Sequence, residues 1–376
     1  TNMKIQRITY LSLGTNQGNK LENLQKAIDL IDENVGGIQK ISSVYQTPSW
    51  GFEGENFFNI CIKVSTYQQP EVLLSSLLEI EQELGRLRSS EKGYQNRKID
   101  IDILLFDDEI IFSKLLIVPH SKMLDRKFVL IPLAEIAPNE LHPIKKTQLS
   151  VCVQNCNDAS EISMIKEKLR RPIPLSEKYN YIAIEGNIGS GKTSLTKMIS
   201  DEFNAKIILE RFADNPFLPK FYEDKERYAF PLEMSFLADR HQQLSDDLAQ
   251  FDLFKNFIVS DYYIFKSLIF AQVTLQKEEY ILYRKMFDIM YKEITKPDLY
   301  IYLYQNTEQL LQNIKKRGRD YEQSIAPSYL NKIHLGYRNF IDTEQNLNSV
   351  IIDVSGRDFV GNPDDYKYII KKIKSL

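Results

Sequence analysis

A chain of 376 residues is too long for one ordinary core, so two domains, or three, are expected. Hydrophobic content of 43% and charged content of 26% fit a soluble globular protein, and a formal net charge of −3 argues against a general nucleic-acid binder. Three cysteines, Cys61, Cys152 and Cys156, are too sparse for a disulfide framework, and no apolar run nears the roughly 20 residues of a membrane span; a cytoplasmic location without membrane partners is expected.

Ile8–Leu13 reads as a strand closed by the polar turn Gly14–Gly18, and Leu21, Leu24, Ala27, Ile28 and Ile31 then recur at helical spacing. Ile38–Tyr45 is extended, Thr47–Gly51 is a loop by its proline and glycine, and Phe57–Val64 is another strand. Pro70 opens a helix carrying Leu73, Leu77, Ile80 and Leu84. The order βαββα, continuing into a strand and more helix, predicts an α+β sandwich with helices on one side of the sheet.

Lys98–Phe106 alternates, which puts Asp100 and Asp102 on one strand face, about 7 Å apart. Such a pair can hold two Mg²⁺ ions across a polyphosphate, or it can be the solvated face of an edge strand. Arg86, Arg88, Lys92 and Arg97 lie upstream, and Val118-Pro119-His120 and Arg126 lie downstream.

Gly14-Thr15-Asn16, Tyr45–Pro48, Gly85–Arg88, Asp100-Ile101-Asp102 and Val118-Pro119-His120 together resemble 6-hydroxymethyl-7,8-dihydropterin pyrophosphokinase, from about Ile8 to Pro143. The resemblance implies a ferredoxin-like fold and transfer of pyrophosphate from ATP to a pterin alcohol. It implies that Asp100 and Asp102 hold Mg²⁺, and that Arg88 and Arg97 close on the triphosphate from mobile loops. His120 and Arg126 would contact ATP, and Glu81 its ribose or base side. Thr47, Phe57, Asn59 and Phe128 would form the pterin slot, two flat rings and two polar groups. Thr15 stands where that family usually has serine, and Tyr94 where it has tryptophan.

Asp158–Arg171 reads as a charged amphipathic helix, and Pro172, Pro174 and Ser176-Glu177-Lys178 mark a linker. The expected division is therefore 1–157, a linker at 158–178, and 179–376.

Tyr181–Ile184 is a buried strand, followed by Gly186-x-x-x-x-Gly191-Lys192-Thr193 and the helical pattern of Leu195, Met198 and Ile199. Strand, glycine loop and helix form a phosphate-binding loop. Backbone N–H groups from Gly186, Asn187, Ile188, Gly189, Ser190 and Gly191 would surround a polyphosphate at the positive end of the helix. Lys192 would neutralise its terminal phosphates, and Thr193 would offer a hydroxyl to Mg²⁺. Strands at Lys206–Leu209, Asn256–Asp261 and Asp298–Leu303 alternate with helices, one of which carries Glu233 and Arg240. This predicts a parallel sheet covered on both faces, with Glu210 and Asp261 at the ligand crevice.

The glycine loop, Glu210, Asp214–Phe217, Tyr222 and Lys316–Gln323 resemble the deoxyribonucleoside kinases, closest to the bacterial deoxyadenosine and deoxyguanosine branch, over about Tyr179 to Tyr337. The resemblance implies that Glu210 is the general base for the 5′-hydroxyl and that Tyr222 and Glu322 grip the 3′-hydroxyl. Arg317 and Arg319 would form a lid on the phosphates, and the domain would form a homodimer. Two positions depart from the family. Tyr262 and Tyr263 follow Asp261 where arginine and serine are usual, so an arginine that holds Glu210 is missing and Lys192 with the lid would compensate. Glu233, beside Arg240, replaces the base-reading glutamine; when ionised it only accepts hydrogen bonds, which favours purine or cytosine over thymine, with deoxyadenosine first. The whole is read as a bifunctional ATP- and Mg²⁺-dependent transferase. The alternatives for the second half are a nucleoside monophosphate kinase and a non-catalytic nucleotide-binding or dimerisation module.

Overall fold

The computed structural model describes residues 6–48, 55–85, 98–211, 215–250, 252–292, 294–344 and 346–376. The chain forms two compact units, Thr1–Pro174 and Leu175–Leu376.

The first unit runs β1 (Arg7–Thr15), α1 (Lys20–Asn34), β2 (Gly36–Ile41), β3 (Tyr45–Thr47), β4 (Phe57–Thr66), α2 (Pro70–Glu83) and β5 (Asp100–Phe106), then β6 (Ile111–Phe112), β7 (Ile117–Val118), α3 (Lys127–Ile136), α4 (Leu149–Gln154) and β8 (Ser163–Met164). The sheet order is β5-β1-β4-β3-β8, with β2 also on β4, and every pairing is antiparallel. Strand alternation sorts the side chains. Leu11, Leu13, Ile60, Ile62, Ile101 and Ile103 meet α1 and α2 on one face. Tyr10, Cys61 and Leu104 meet Val129, Leu133 and Ile136 of α3 and Leu149 of α4 on the other. Helices thus cover both faces, not one as expected. Lys127–Ile136 is apolar nearly all round, so its periodicity gave no sign of which face it would take.

Asp158–Arg171 is not a helix. Ser163–Met164 pairs with β3, and Ile165 and Leu169 pack against the core of this unit. The i, i+4 spacing of Ile165 and Leu169 suits a helix, but here it serves an extended segment crossing the sheet edge. The residues expected as the first part of a linker therefore belong to the first unit.

The second unit contains α5 (Leu175–Lys178), β9 (Tyr181–Gly186), α6 (Lys192–Phe203), β10 (Lys206–Ile208), α7 (Phe217–Glu223), α8 (Lys225–Ala249), β11 (Ile258–Ser260), α9 (Phe265–Thr274) and α10 (Lys277–Tyr291). It continues with β12 (Leu299–Tyr304), α11 (Thr307–Arg317), α12 (Pro327–Thr343), β13 (Ser349–Asp353) and α13 (Pro363–Ser375). Five parallel strands lie in the order β10-β11-β9-β12-β13. One face packs on Leu195 and Ile199 of α6 and Ile369 and Ile373 of α13. The other carries a tyrosine-rich core including Tyr181, Tyr263, Tyr300 and Tyr283. The glycine loop leaves β9, the central strand, where ligands bind in open parallel sheets. No helix among the described residues is long and apolar enough to cross a membrane.

Candidate active sites

In the first unit, Ser12 and Gly14 of β1, Asn59 of β4, and Asp100 and Asp102 of β5 share the sheet face beneath α3. The register pairs Gly14 with Asp100 and Ser12 with Asp102. A cavity of about 90 Å³ is lined by these five residues together with Thr47, Phe57, Arg126 and Phe128. Asn59 Nδ2 donates to Thr47 Oγ1 at 3.0 Å, which fixes the amide of a nearly buried side chain. The Arg126 guanidinium lies over the Phe128 ring at 5.7 Å.

Two residues expected at ATP lie outside this lining. Glu81 is only 2% exposed, and its Oε1 accepts from the backbone N–H of Ile101 at 2.7 Å, so it braces β5 from α2. His120 Nδ1 accepts from the Lys122 N–H at 3.3 Å; burial and the nearby Arg126 charge push its pKa down, favouring neutral imidazole. Arg88 and Arg97 lie outside the described residues. Asp158 and Ser160 were not anticipated, yet both line the cavity.

In the second unit a cavity of about 1180 Å³ is lined by Ile188, Gly189, Ser190, Gly191, Lys192 and Thr193 at one end. Glu210, Tyr222, Glu233, Arg240, Arg317, Arg319 and Glu322 line the rest. Gly189 (φ +82°) and Gly191 (φ +88°) hold the left-handed backbone the loop needs, and a Cβ on Gly189 would lie 2.9 Å from the Leu310 carbonyl oxygen. Gly186 and Asn187 do not line the cavity. Asn187 is fully buried: its Nδ2 donates to the Leu330 carbonyl at 2.8 Å, and its own carbonyl accepts from Lys192 Nζ at 3.2 Å.

The centre of the cavity is an ion network. Glu210 Oε1 accepts from Arg240 Nε at 2.8 Å, with Arg240 Nη2 in an ion pair with the same oxygen at 2.8 Å, and Glu210 Oε2 accepts from Lys266 Nζ at 2.5 Å. These side chains are 4–8% exposed. Burial opposes the charge of Glu210, but Lys266 and Arg240 outweigh it and hold the carboxyl well below the usual carboxylate range. Burial, and then the Lys266 ammonium, push Lys192 down to about 8. Thr193 Oγ1 donates to Asp261 Oδ2 at 2.5 Å, and the Glu210 N–H donates to Asp261 Oδ1 at 2.8 Å.

Glu233 is 3% exposed and accepts from Thr274 Oγ1 at 2.8 Å through Oε1; its Oε2 has no hydrogen-bond partner among the described residues. Burial pushes its pKa up to about 7, against Arg240 and the Thr274 hydrogen bond. Glu322 accepts from both expected lid arginines, Arg317 and Arg319.

Tyr262 and Tyr263 turn into the core, where each is fully buried. The position expected for an arginine thus does not face the cavity, and Lys266 reaches Glu210 instead. Residues 356–361, unassigned by sequence, also line the cavity, and Phe359 lies against Gly191.

A family model for deoxynucleoside kinase matches residues 182–376, and one for 7,8-dihydro-6-hydroxymethylpterin-pyrophosphokinase matches residues 10–138. A deoxyguanosine kinase of Bacillus subtilis is 36% identical over 200 residues, covering 52% of this chain and 97% of that protein. A deoxyadenosine/deoxycytidine kinase of the same organism is 30% identical over 203 residues, covering 53% of this chain and 94% of that protein. A 2-amino-4-hydroxy-6-hydroxymethyldihydropteridine pyrophosphokinase of Aquifex aeolicus is 44% identical over 141 residues, covering 37% of this chain and 86% of that protein. Two separate sites on two separate folds are accounted for together: the chain is a bifunctional kinase that belongs to the pterin pyrophosphokinase family in its N-terminal part and to the deoxynucleoside kinase family in its C-terminal part.

Proposed function

We propose that the first unit transfers pyrophosphate from ATP to 6-hydroxymethyl-7,8-dihydropterin, and that the second transfers the γ-phosphoryl group of ATP to the 5′-hydroxyl of a purine deoxynucleoside. For the first reaction the supporting observation is that Thr47, Phe57, Asn59 and Phe128 line one cavity with Asp100 and Asp102. The flat rings suit a pterin bicycle, and the Asn59–Thr47 pair offers hydrogen bonds to its amide edge.

For the second reaction it is the Glu210–Arg240–Lys266 network beside Lys192. Glu210 takes the 5′-hydroxyl proton, Lys192 neutralises the phosphates, and Tyr222 with Glu322 grips the 3′-hydroxyl. Phosphoryl transfer depends mainly on position and charge, so a strongly ionised Glu210 is adequate as the base. Arg317 and Arg319, paired with Glu322 and lining the same cavity as Lys192, serve as a lid on the transferring group.

Mg²⁺ fits both donor sets. Thr193 and Asp261 present a hydroxyl and a carboxylate side by side, and Asp100 and Asp102 present two carboxylates on one strand face. Among the described residues no group of three or more His, Cys, Asp or Glu forms a metal site. Two protein oxygens per site are what Mg²⁺ held mainly by substrate phosphates and water requires. The ion would supply charge neutralisation along the polyphosphate.

Glu233 sets the base. When ionised, its free Oε2 accepts from the N6 amino group of adenine, as the sequence suggests, but guanine presents adjacent N1–H and N2–H donors that match a carboxylate better and favour the ionised form. Oε1 keeps a second lone pair beside Thr274. We therefore place deoxyguanosine ahead of deoxyadenosine, in keeping with the similarity to the Bacillus subtilis deoxyguanosine kinase. Leu282, Met286 and Ile289, exposed along one face of α10, support a homodimer through this unit. Turnover of the four deoxynucleosides and of deoxyguanosine monophosphate tests the assignment. Preference for a pyrimidine would contradict it, and preference for the monophosphate would favour the monophosphate kinase alternative.

A further inference from the structure

We propose that Lys266 is the positioning residue for the general base of the deoxynucleoside kinase, supplying from the first turn of α9 the cation that the chain lacks directly after Asp261. The inference rests on the kinase reading above and on Glu210 as its base.

The placement of Lys266 is costly unless it has a function or a strong partner. Lysine is almost never this buried, and a cation in the first turn of a helix meets the positive end of the helix dipole. Its Nζ lies 2.5 Å from Glu210 Oε2 and 5.4 Å from the Phe270 ring centroid, one turn further along α9. Arg240 takes Oε1 and Lys266 takes Oε2, so both oxygens are fixed from opposite elements, α8 and α9. A carboxylate keeps further acceptor directions in this arrangement, and one of them remains for a substrate hydroxyl.

The groups around Lys266 come from every element at the cavity floor. Lys192 of α6 and Arg240 of α8 are the other cations, and Glu185 of β9, Glu233 of α8, Glu210 and Asp261 are the acids. Glu185 is fully buried and committed elsewhere: its carboxylate accepts from the Tyr263 N–H at 2.7 Å and from the Tyr337 hydroxyl at 2.8 Å. Burial pushes Glu185 up to about 7, so it holds Lys266 less firmly than does Glu210. Tyr263 lies in the turn between β11 and α9, so the bond to Glu185 also fixes the start of the helix that carries Lys266.

In the reaction, the 5′-hydroxyl oxygen forms a bond to the γ-phosphorus and its proton passes to Glu210. The bond from the γ-phosphorus to the β–γ bridging oxygen breaks, and its electron pair leaves with ADP. Once protonated, Glu210 no longer balances Lys266, and the ammonium is released toward the oxygens of the transferred group. One side chain thereby orients the base before transfer and faces the product charge afterwards.

The test uses the full chain and compares kcat and KM of deoxynucleoside phosphorylation for wild type, Lys266→Arg and Lys266→Met. Lys266→Met is expected to lower kcat about 100-fold with KM for the nucleoside little changed, because the base is misplaced and binding is not. Lys266→Arg, which keeps the cation, is expected to restore most of kcat. An undiminished kcat in a folded Lys266→Met chain, a loss carried by KM in place of kcat, or equal losses in the two variants overturns the assignment. If Lys266→Met misfolds by near-ultraviolet circular dichroism, Lys266→Gln and the Glu210→Gln/Lys266→Gln pair decide: strong non-additivity supports the assignment, and additive losses overturn it. A wild-type chain that phosphorylates no deoxynucleoside overturns the kinase reading along with the assignment, whereas an active wild type with an undiminished variant overturns the assignment alone.

Discussion

The Asp158 carboxylate accepts a hydrogen bond from the backbone N–H of Lys127 at 2.8 Å, so a residue 31 positions later caps α3. The N-cap residue of that helix, Arg126, makes no side-chain capping bond of its own. Arg126 and Phe128 flank the capped N–H, and all three side chains, Asp158, Arg126 and Phe128, line the cavity of the first unit. Asp158→Ala is expected to cost about 1 kcal/mol in denaturant unfolding of this unit. It should also raise KM for the pterin several-fold and leave deoxynucleoside turnover unchanged.

Gly189→Ala would place a methyl group 2.9 Å from the Leu310 carbonyl oxygen on a backbone with φ +82°. The substitution should strain the loop by about 1–3 kcal/mol and weaken ATP binding to the second unit at least about tenfold. Pterin pyrophosphorylation, monitored in the same sample, should not change.

Glu233 and Glu185 carry protons in the folded state up to about 7, above their ordinary value of 4.5. Between these values the folded chain binds more protons than the unfolded one, so stability falls as pH rises through this window. Glu210, shifted in the opposite direction, loses its contribution only at lower pH. Denaturant unfolding of the second unit should show greater stability at about pH 5.5 than at about pH 7.5, and Glu233→Gln should reduce the difference by on the order of 2 kcal/mol. A steeper dependence in Glu233→Gln would contradict this.

Asp102→Asn should lower pterin pyrophosphorylation about 100-fold or more by removing a carboxylate from the proposed metal pair. Rescue on raising Mg²⁺ would place the loss at metal affinity, and steady-state kinetics against Mg²⁺ measure it.

What could be read from the sequence was local. Asp100 and Asp102 declare their shared face by alternation, and Gly186–Thr193 carries its loop geometry within eight consecutive residues. Glu233 and Arg240, two turns apart on one helix, indeed line one cavity. What could not be read depended on side chains meeting across the fold. Lys266 reads as an ordinary helix lysine until α9 packs beside Glu210. Tyr262 occupies the expected arginine position in sequence but faces the core in space. Glu81 falls on a matching position, yet its carboxylate is taken by the Ile101 N–H. The segment after Asp158 has helical spacing, but a free edge on β3 claims it as a strand.

The central claim is that one chain carries two independent ATP-dependent activities, and the most direct test is product analysis with one disabling substitution per unit. Wild type should form AMP with the pterin alcohol and ADP with a purine deoxynucleoside. Asp102→Asn should sharply lower only AMP formation, and Glu210→Gln only ADP formation. Loss of both products in either variant, or a wild type that makes only one of them, would contradict the account.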